Sequence, residues 1–370
     1  MSNSLLTPNI IAREALLVLE NNMVFSGLVH RDYSSEFASV GDTISVRKPA
    51  TFAAEEWNGS TISIQNATEG SVAVKLDTVL DVSFGVTSKE LSLDIQSFSE
   101  QFIQPALRAH AQALDAKLAQ LYKDIPYNTA VSATPALADL AAIDRIMNVN
   151  KVPGNERRLV VDPTTKANYV VIDAIARADA SGSTEALRQA SMGHIMTLDT
   201  FMDQNIVSHA KGDLAGTATL TGTAGATSGT VASGGNAKTI KKGDLFTIAT
   251  LTEAAPANQF VCTKDMTTDA SGGGTLEFYP ALPSNISAQV ITVKASAKAN
   301  IAFHRNAFAL VTRPLANPLG GAASEVMSYQ GMSIRVTYAY NMDTKANVIS
   351  IDQLVGVKTL TPELAVRFNG

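Results

Sequence analysis

The chain has few of the residues that build disulfide-held and metal-held folds. Cys262 is the single cysteine among 370 residues, which excludes an internal disulfide and a cysteine metal cluster. We interpret it as a small apolar strand residue, and such sparing use of cysteine is typical of a reducing compartment. The five histidines stand far apart without the spacing of zinc ligands, so only folding would bring them together. We therefore expect no metal and no cofactor.

Long runs of one kind of residue are also missing. The formal charge is −5, from 29 Lys and Arg against 34 Asp and Glu. No basic run is longer than a pair, whereas gripping nucleic acid normally needs clustered Lys and Arg. Arg157 and Arg158 form one such pair, which we interpret as solvated rather than as a phosphate site. Since no apolar run approaches the roughly 20 residues that cross a bilayer, we expect no membrane partner.

A catalytic constellation is equally hard to find. The glycine-rich stretch 222–235 lacks the Gly-Lys-Ser/Thr ending of a phosphate cradle and is interpreted as a β turn. Ser191 and His194 are close in sequence, but no nucleophile elbow surrounds them. Asp139 and Asp144 are interpreted as solvated charges on a helix face. The sequence therefore predicts no catalytic residues, and we expect a protein that is not an enzyme.

The chain nevertheless has a normal apolar content of 45% and a length of 370 residues. Such a chain is expected to form a main domain and a second module. The composition changes between residues 211 and 298: Thr, Ala and Gly dominate 214–235, and short strands then alternate with turns, which predicts a small inserted β module. Its predicted core consists of Leu245, Phe246, Ile248, Phe260, Val261, Phe278, Val290 and Ile291.

One long helix, predicted over residues 97–122, organises the main domain. Ser97 and Glu100 have the spacing of a capping box at its start. At about 100° per residue, one apolar stripe forms along it. The stripe consists of Ile103, Leu107, His110, Leu114, Leu118 and Leu121. Pro105 predicts a kink. At 1.5 Å per residue the helix would be roughly 39 Å long, so we call it the spine helix.

Strands with a period of two are predicted on both sides of the spine helix. Apolar residues alternate between residues 43 and 86, which predicts long antiparallel strands that need a neighbour to cover both faces. Trp57, the only tryptophan, lies in a polar setting among them. A short amphipathic helix is predicted over 9–22. Thr134 and Pro135 predict the N-cap and first residue of another helix, and Pro362 is expected to stop the last strand.

Several stretches resemble the tailed-bacteriophage major capsid proteins of the Hong Kong 97 fold. The resemblance is to the branch that contains the Salmonella podovirus coat protein, whose subunits carry an insertion domain. Two stretches carry it best, residues 302–315 and 333–365, with the pieces 335–338, 350–352 and 356–365 inside the second. Residues 159–163 and 242–248 fit the same pattern. The resemblance spans nearly the whole chain.

This resemblance implies an α+β fold with an N-arm, an extended β-hairpin loop, a spine helix, peripheral and axial domains, and an inserted small β domain. The implied boundaries are 1–40 for the arm, 41–90 for the extended loop, 91–133 for the spine helix and peripheral domain, 134–210 for the first part of the axial domain, 211–298 for the insertion and 299–370 for the completion of the axial and peripheral domains. Five residues are expected to support structure and assembly: Trp57, Leu107, Leu114, Leu118 and Leu121.

The resemblance also implies partners. Many copies would assemble in the host bacterial cytoplasm into pentamers and hexamers of an icosahedral shell, the virion capsid, with a portal protein at one vertex. Packaged double-stranded DNA would be enclosed without sequence-specific binding. Because too few residues precede the first strands for the long cleaved scaffold of some relatives, we expect a separate scaffolding protein. The alternatives are a capsid-fold cargo compartment of a cell, similar to an encapsulin, and an unrelated binding module with an inserted β domain.

Overall fold

A computed structural model describes residues 23–31, 43–47, 71–87, 102–132, 134–177, 189–251, 257–313, 315–318, 323–329, 332–343 and 346–369. The predicted helix over 9–22, Trp57 and the capping box of Ser97 and Glu100 lie outside these residues. None of the helices in the described ranges has the length and apolar content needed to span a membrane.

Helices occupy a modest part of the described chain. The α-helices are α1 (Phe25–Leu28), α2 (Gln104–Ala119), α3 (Leu137–Val149), α4 (Pro163–Val170) and α5 (Asp173–Ala176). Single 3-10 turns cover Gln120–Asp124, Arg305–Ala307 and Pro362–Leu364.

Strands make up most of the remaining elements. They are β1 (Thr43–Arg47), β2 (Ser71–Lys75), β3 (Thr78–Thr87), β4 (Asn128–Ala130), β5 (Arg157–Val161), β6 (His194–Ile195), β7 (Leu198–Met202), β8 (Ser208–His209), β9 (Thr219–Gly222), β10 (Ser228–Ala232), β11 (Thr239–Ile240), β12 (Leu245–Ile248), β13 (Phe260–Cys262), β14 (Met266–Thr267), β15 (Gly274–Tyr279), β16 (Ile286–Val293), β17 (Ala297–His304), β18 (Phe308–Arg313), β19 (Ala323–Tyr329), β20 (Met332–Asn341), β21 (Ala346–Thr359) and β22 (Ala365–Asn369).

The described residues divide into two units. The first draws on Arg31–His110 and Ala309–Leu360, and the second on Asn22–His30, Ala111–Phe308 and Thr361–Gly370. Residues 309–360 cluster with the first unit, and the predicted domain boundaries stay a prediction.

A five-stranded sheet dominates the described part of the first unit. Its order is β18–β21–β20–β19, and β3 also pairs with β21, antiparallel along its whole length. The alternation of Ile334, Val336 and Tyr338 predicts the first strand of a hairpin, and the antiparallel pair β20–β21 confirms it. Strands β1 and β2, which come from the stretch of alternating apolar residues between 43 and 86, also pair antiparallel. The sequence did not predict that β3, assigned to the extended loop, would join the final hairpin.

The second unit contains a mixed sheet and a closed barrel. The sheet has the order β4–β22–β17–β5–β7–β6, with β8 pairing β17, and its β4–β22 and β5–β7 pairs are parallel. Strand β22 follows the 3-10 turn Pro362–Leu364, so the prediction that Pro362 stops the last strand is wrong. Proline fits there because the first position of a helical turn needs no N–H donor. The core of this sheet includes Leu159, Ala302 and Phe368, each 0% exposed.

The barrel closes in the order β10–β15–β13–β12–β16–β9, so none of its six strands leaves an unpaired edge. Phe246, Phe260 and Phe278 fill its centre, with ring centroids 5.5 to 5.8 Å apart. The prediction that Val290 belongs to this core is wrong, since Val290 is 41% exposed. Ile291 lies inside instead, because neighbouring residues of a strand face opposite sides.

The ends of the barrel segment lie together, as a module inserted into a host domain requires. Strand β8 pairs with the start of β17, with Ser208 opposite Lys298 and His209 opposite Ala297. The chain therefore leaves the host sheet and returns to it at one place. Leu245 and Val261 are buried but lie outside the core cluster of the barrel.

The predicted start of one helix is wrong, and the predicted kink at Pro105 stays a prediction. Pro105 is the second residue of α2, which follows the π-helical residues Phe102 and Ile103, and the residues just before Phe102 lie outside the described ranges. Helix α3 is capped at Ala136 rather than at Thr134, because the Asp139 side chain accepts the N–H of Ala136 at 3.1 Å.

Candidate functional site

The predicted structure and assembly residues lie along α2 and the 3-10 turn that follows it. Leu107, Leu114, Leu118 and Leu121 are 0%, 0%, 1% and 8% exposed. Trp57 is the fifth of these residues and lies outside the described ranges. The four leucines therefore stabilise the interior of the chain, and any contribution to contacts between copies stays a prediction.

His110 occupies the same stripe and is almost completely buried. Its Nε2 lies 3.0 Å from Gln353 Oε1, and both side chains are 1% exposed. Burial lowers the pKa of His110, although the hydrogen bond to Gln353 and the charges of Asp81 and Asp352 oppose the shift. Such a neutral imidazole fits a stripe of leucines. Asp352 in turn holds the guanidinium of Arg335 through two hydrogen bonds of 2.9 and 2.5 Å.

A chain of three buried polar side chains lies at the end of the spine helix, in the second unit. Tyr122 Oη lies 2.8 Å from His209 Nδ1, and His209 Nε2 lies 2.8 Å from Asp244 Oδ1. The other Asp244 oxygen accepts backbone N–H groups of Lys241 at 2.7 Å and Gly212 at 3.0 Å. A neutral His209 satisfies both neighbours, because Nε2–H donates to the carboxylate while Nδ1 accepts from the tyrosine hydroxyl.

Arg367 packs against this chain from strand β22. Its guanidinium lies 4.8 Å from the Tyr122 ring centroid and donates to the Gly243 carbonyl at 2.7 Å. The side chain is 2% exposed, and burial lowers the pKa of Arg367 to about 10, while Tyr122 and Asp244 oppose this shift. We call Tyr122, His209, Asp244 and Arg367 the polar hub.

The polar hub is placed to hold structure rather than to act on a substrate. Tyr122 is 2% exposed, His209 7% and Asp244 0%. The cavity beside His209 and Arg367 measures about 10 Å³, which admits one water at most. The hub joins the 3-10 turn after the spine helix, strand β8, the turn before β12 and strand β22. Because its members are far apart in sequence, neither motif nor spacing could reveal it.

A larger cavity of about 110 Å³ opens at the end of strand β7. Among the described residues, its lining includes Lys166, Ser191 and Phe201 and has no His, Cys, Asp or Glu side chain. Ser191 accepts the backbone N–H of Gly193, while His194 bonds to Asp199 at 2.7 Å, so the structure does not make a nucleophile and base of Ser191 and His194. Within the described ranges, no three His, Cys, Asp or Glu side chains group as a metal site would require.

The interpretation of Asp139 and Arg157 as solvated charges is wrong, while the Asp144 side chain is 23% exposed and forms an ion pair. Asp139 is 8% exposed and accepts hydroxyl hydrogens from Ser132 and Tyr169, each at 2.5 Å. Arg157 is 3% exposed and forms an ion pair of 2.8 Å with Asp144. These side chains are covered because loops and neighbouring elements pack over the polar face of α3, which the helical period does not predict.

Asp162 connects strand β5 to both α4 and the strand leaving the barrel. Its oxygens cap α4 by accepting the N–H groups of Thr164 at 3.0 Å and Thr165 at 3.3 Å. Lys298 Nζ lies 2.8 Å from the same carboxylate. Although burial opposes the shift, hydrogen bonds from Lys298 and Thr165 lower the pKa of Asp162 to about 2. The sequence identified Asp162 only as the end of a strand.

Comparisons with known proteins show which families and solved structures this chain resembles. The family model described as P22 coat protein, gene protein 5, matches residues 280–370. A solved structure titled Mycobacterium phage Che8 is similar with a TM-score of 0.53 and 16% identity, over 94% of this chain and 91% of that one. The capsid structure of the Cyanophage P-SCSP1u gives a TM-score of 0.51 and 11% identity, over 94% of this chain and 88% of that one. The fold is that of a phage capsid protein.

The predicted resemblance to coat proteins and the predicted α+β fold of the Hong Kong 97 type are thus confirmed. The family match lies at the C-terminal end, where the sequence showed its most characteristic stretches. The comparison with curated proteins found no match.

Proposed function

We propose that the chain is the major capsid protein of a tailed double-stranded DNA bacteriophage. Copies of it would form pentamers and hexamers of an icosahedral shell around the packaged genome. The observation that carries this proposal is the capsid fold over nearly the whole chain together with the coat-protein match over residues 280–370. The proposed function is structural and includes no catalytic step.

The proposed domains follow the sequence-based boundaries. Residues 1–40 would be the arm, 41–90 the extended loop and 91–133 the spine helix with the peripheral domain. Residues 134–210 would begin the axial domain, 211–298 would be the insertion and 299–370 would complete the axial and peripheral domains. The closed barrel between Thr219 and Val293 supports the insertion.

The proposed partners are other copies of the chain, a separate scaffolding protein, a portal protein at one vertex and the enclosed DNA. A net charge of −5 suits a container whose lining lets DNA move rather than binding it tightly. Assembly would take place in the host bacterial cytoplasm and the product would be the virion capsid.

The test is co-expression of the full chain with the products of its neighbouring genes. We expect closed shells by negative-stain microscopy, and a mass by light scattering far above the 39.0 kDa of one chain. A strictly monomeric protein under every combination would overturn the proposal. Shells that load a host protein and never DNA would indicate a cargo compartment instead.

A further inference from the structure

Strand β4 is the last strand at one edge of the mixed sheet. The Tyr127 carbonyl accepts the N–H of Arg367 at 2.8 Å, and the Val131 N–H donates across to the same strand, β22. Because the backbone groups of successive strand residues point to opposite sides, the N–H and C=O of Asn128 point away from β22, toward the open edge. Such groups in an edge strand are a template for pairing with another chain.

Gln259, which directly precedes barrel strand β13, covers this part of the edge with its side-chain amide. Its Oε1 accepts the Asn128 N–H at 2.9 Å, and its Nε2 donates to the Asn128 carbonyl at 2.7 Å. A residue of a neighbouring antiparallel strand would exchange the same two bonds. Gln259 is 6% exposed and Asn128 5%, so both bonds are shielded from water.

The residue before Gln259 uses its side chain in the same way inside the barrel. Asn258 Oδ1 accepts the N–H of Ile248 at 2.9 Å, and Asn258 Nδ2 donates to the Ile248 carbonyl at 2.9 Å. Ile248 is the last residue of β12. Asn258 therefore fixes the chain ahead of β13 to the barrel wall, and this sets the position from which Gln259 reaches β4.

The barrel is attached to the host sheet at one place and meets β4 at another. Its covalent connections lie beside the β8–β17 pair, where Ser208 is opposite Lys298. In the sheet β22 lies between β17 and β4, so β4 is two strands, or about 10 Å, from β17. The bonds of Gln259 therefore hold the barrel over an edge that its own connections do not cover.

We propose that Gln259 is an edge cap, which imitates a strand residue and keeps β4 from pairing with the β4 edge of a second copy. Two such edges are suitable partners because antiparallel pairing of the same strand is self-complementary. The edge cap lies within one chain, so it does not depend on the proposed function.

Loss of the amide at Gln259 changes the balance between two forms of the chain. While the barrel covers β4, the N–H and C=O of Asn128 would be buried without partners, which is unfavourable. When the barrel moves away, water or another strand satisfies both groups. We therefore expect the population of this open form to rise about tenfold or more.

Gln259→Met in the full, unassembled chain tests the edge cap, because methionine keeps the length of the side chain but has no amide. The Asn128 amide hydrogen should exchange about tenfold faster, and sedimentation should show a mass of about twice the 39.0 kDa of one chain, or more. Gln289→Met is the matched control, because Gln289 Nε2 donates to Ser287 of its own strand at 2.9 Å. The control should behave as the parent. A Gln259→Met protein that stays monomeric would overturn the proposal.

A second substitution separates edge pairing from a general loss of stability. Ala130 is exposed and, two residues after Asn128, faces the same edge. Proline there removes an N–H that an incoming strand needs. Ala130→Pro added to Gln259→Met should restore the mass of one chain while the Asn128 amide still exchanges fast. Association that the proline does not reduce would overturn the proposal.

Two further measurements apply if Gln259→Met does not fold. Gln259→Glu keeps an acceptor for the Asn128 N–H but repels the Asn128 carbonyl, and it should associate in the same way, with monomers as the contrary result. In the parent, the Asn128 amide should exchange at least about tenfold more slowly than that of Ala130, and equal rates would overturn the proposal. A chain that never forms shells yet gives these results would refute the proposed function alone.

Discussion

His209 joins parts of the chain that are distant in sequence, Tyr122 before it and Asp244 after it. Each partner uses a different ring nitrogen, with both distances 2.8 Å, so neither nitrogen is left without a hydrogen bond in the interior. A buried polar atom that loses its partner costs more than the same atom at the surface, because water cannot replace the lost bond. The polar hub is therefore a sensitive point of the subunit.

Tyr122→Phe tests this sensitivity. Removal of the hydroxyl leaves His209 Nδ1 buried without its donor, so we expect the free energy of unfolding to fall by about 1–3 kcal/mol. Thermal unfolding followed by circular dichroism should show a lower midpoint. Tyr340→Phe is the matched control, because Tyr340 is 51% exposed and its loss of a hydroxyl should leave the midpoint nearly unchanged. Equal midpoints for the two variants would contradict the hub.

The sequence could not predict such side-chain partners. Asp139 and Asp144 occupy the polar side of an amphipathic helix, and the helical period is the same whether that side meets water or another part of the protein. Their partners Tyr169 and Arg157 come from a later helix and strand. Periodicity reports burial of apolar residues well because water rejects them, whereas a polar residue is compatible with either environment.

At the scale of elements, the period of the apolar residues was the reliable guide. The alternation in Ile334, Val336 and Tyr338 predicted β20, and the apolar run Leu159 to Val161 predicted β5. The pairing of strands was harder to predict from the sequence. The partner of β3 is β21, which lies more than 250 residues later, and no turn signal connects the two strands. Local patterns therefore predicted the strands, while their neighbours needed the folded chain.

Leu118→Asp tests the spine helix as an element. Leu118 is 1% exposed, and an unpaired carboxylate there costs several kcal/mol, which is comparable to the whole stability of a domain. We expect insoluble protein and no shells. Ala113→Asp is the matched control, since Ala113 is exposed on the same helix. A soluble Leu118→Asp protein with the circular dichroism spectrum of the parent would show that the stripe is not essential.

At the scale of the whole molecule, the change in composition at residue 211 predicted a second module, and the closed barrel agrees with that prediction. Most of its predicted core was right because strand alternation places large apolar residues on one side. Val290 was assigned wrongly because Val290 and Ile291 are both β-branched neighbours, and only the register of β16 decides which one faces inward. Leu245 and Val261 were also predicted to belong to the barrel core. They are buried, but they lie outside its core cluster.

The barrel should fold without its host. Residues 211–298 have a closed hydrogen-bonded sheet, a core that includes Phe246, Phe260 and Phe278, and ends that lie together. Their size is above that at which small domains usually need a metal or disulfides. The excised segment should give well-dispersed amide signals by NMR. Phe260→Ser should abolish them, whereas Val290→Ser should not, because Val290 is exposed. Poor dispersion in the parent fragment would mean that the barrel depends on the rest of the chain.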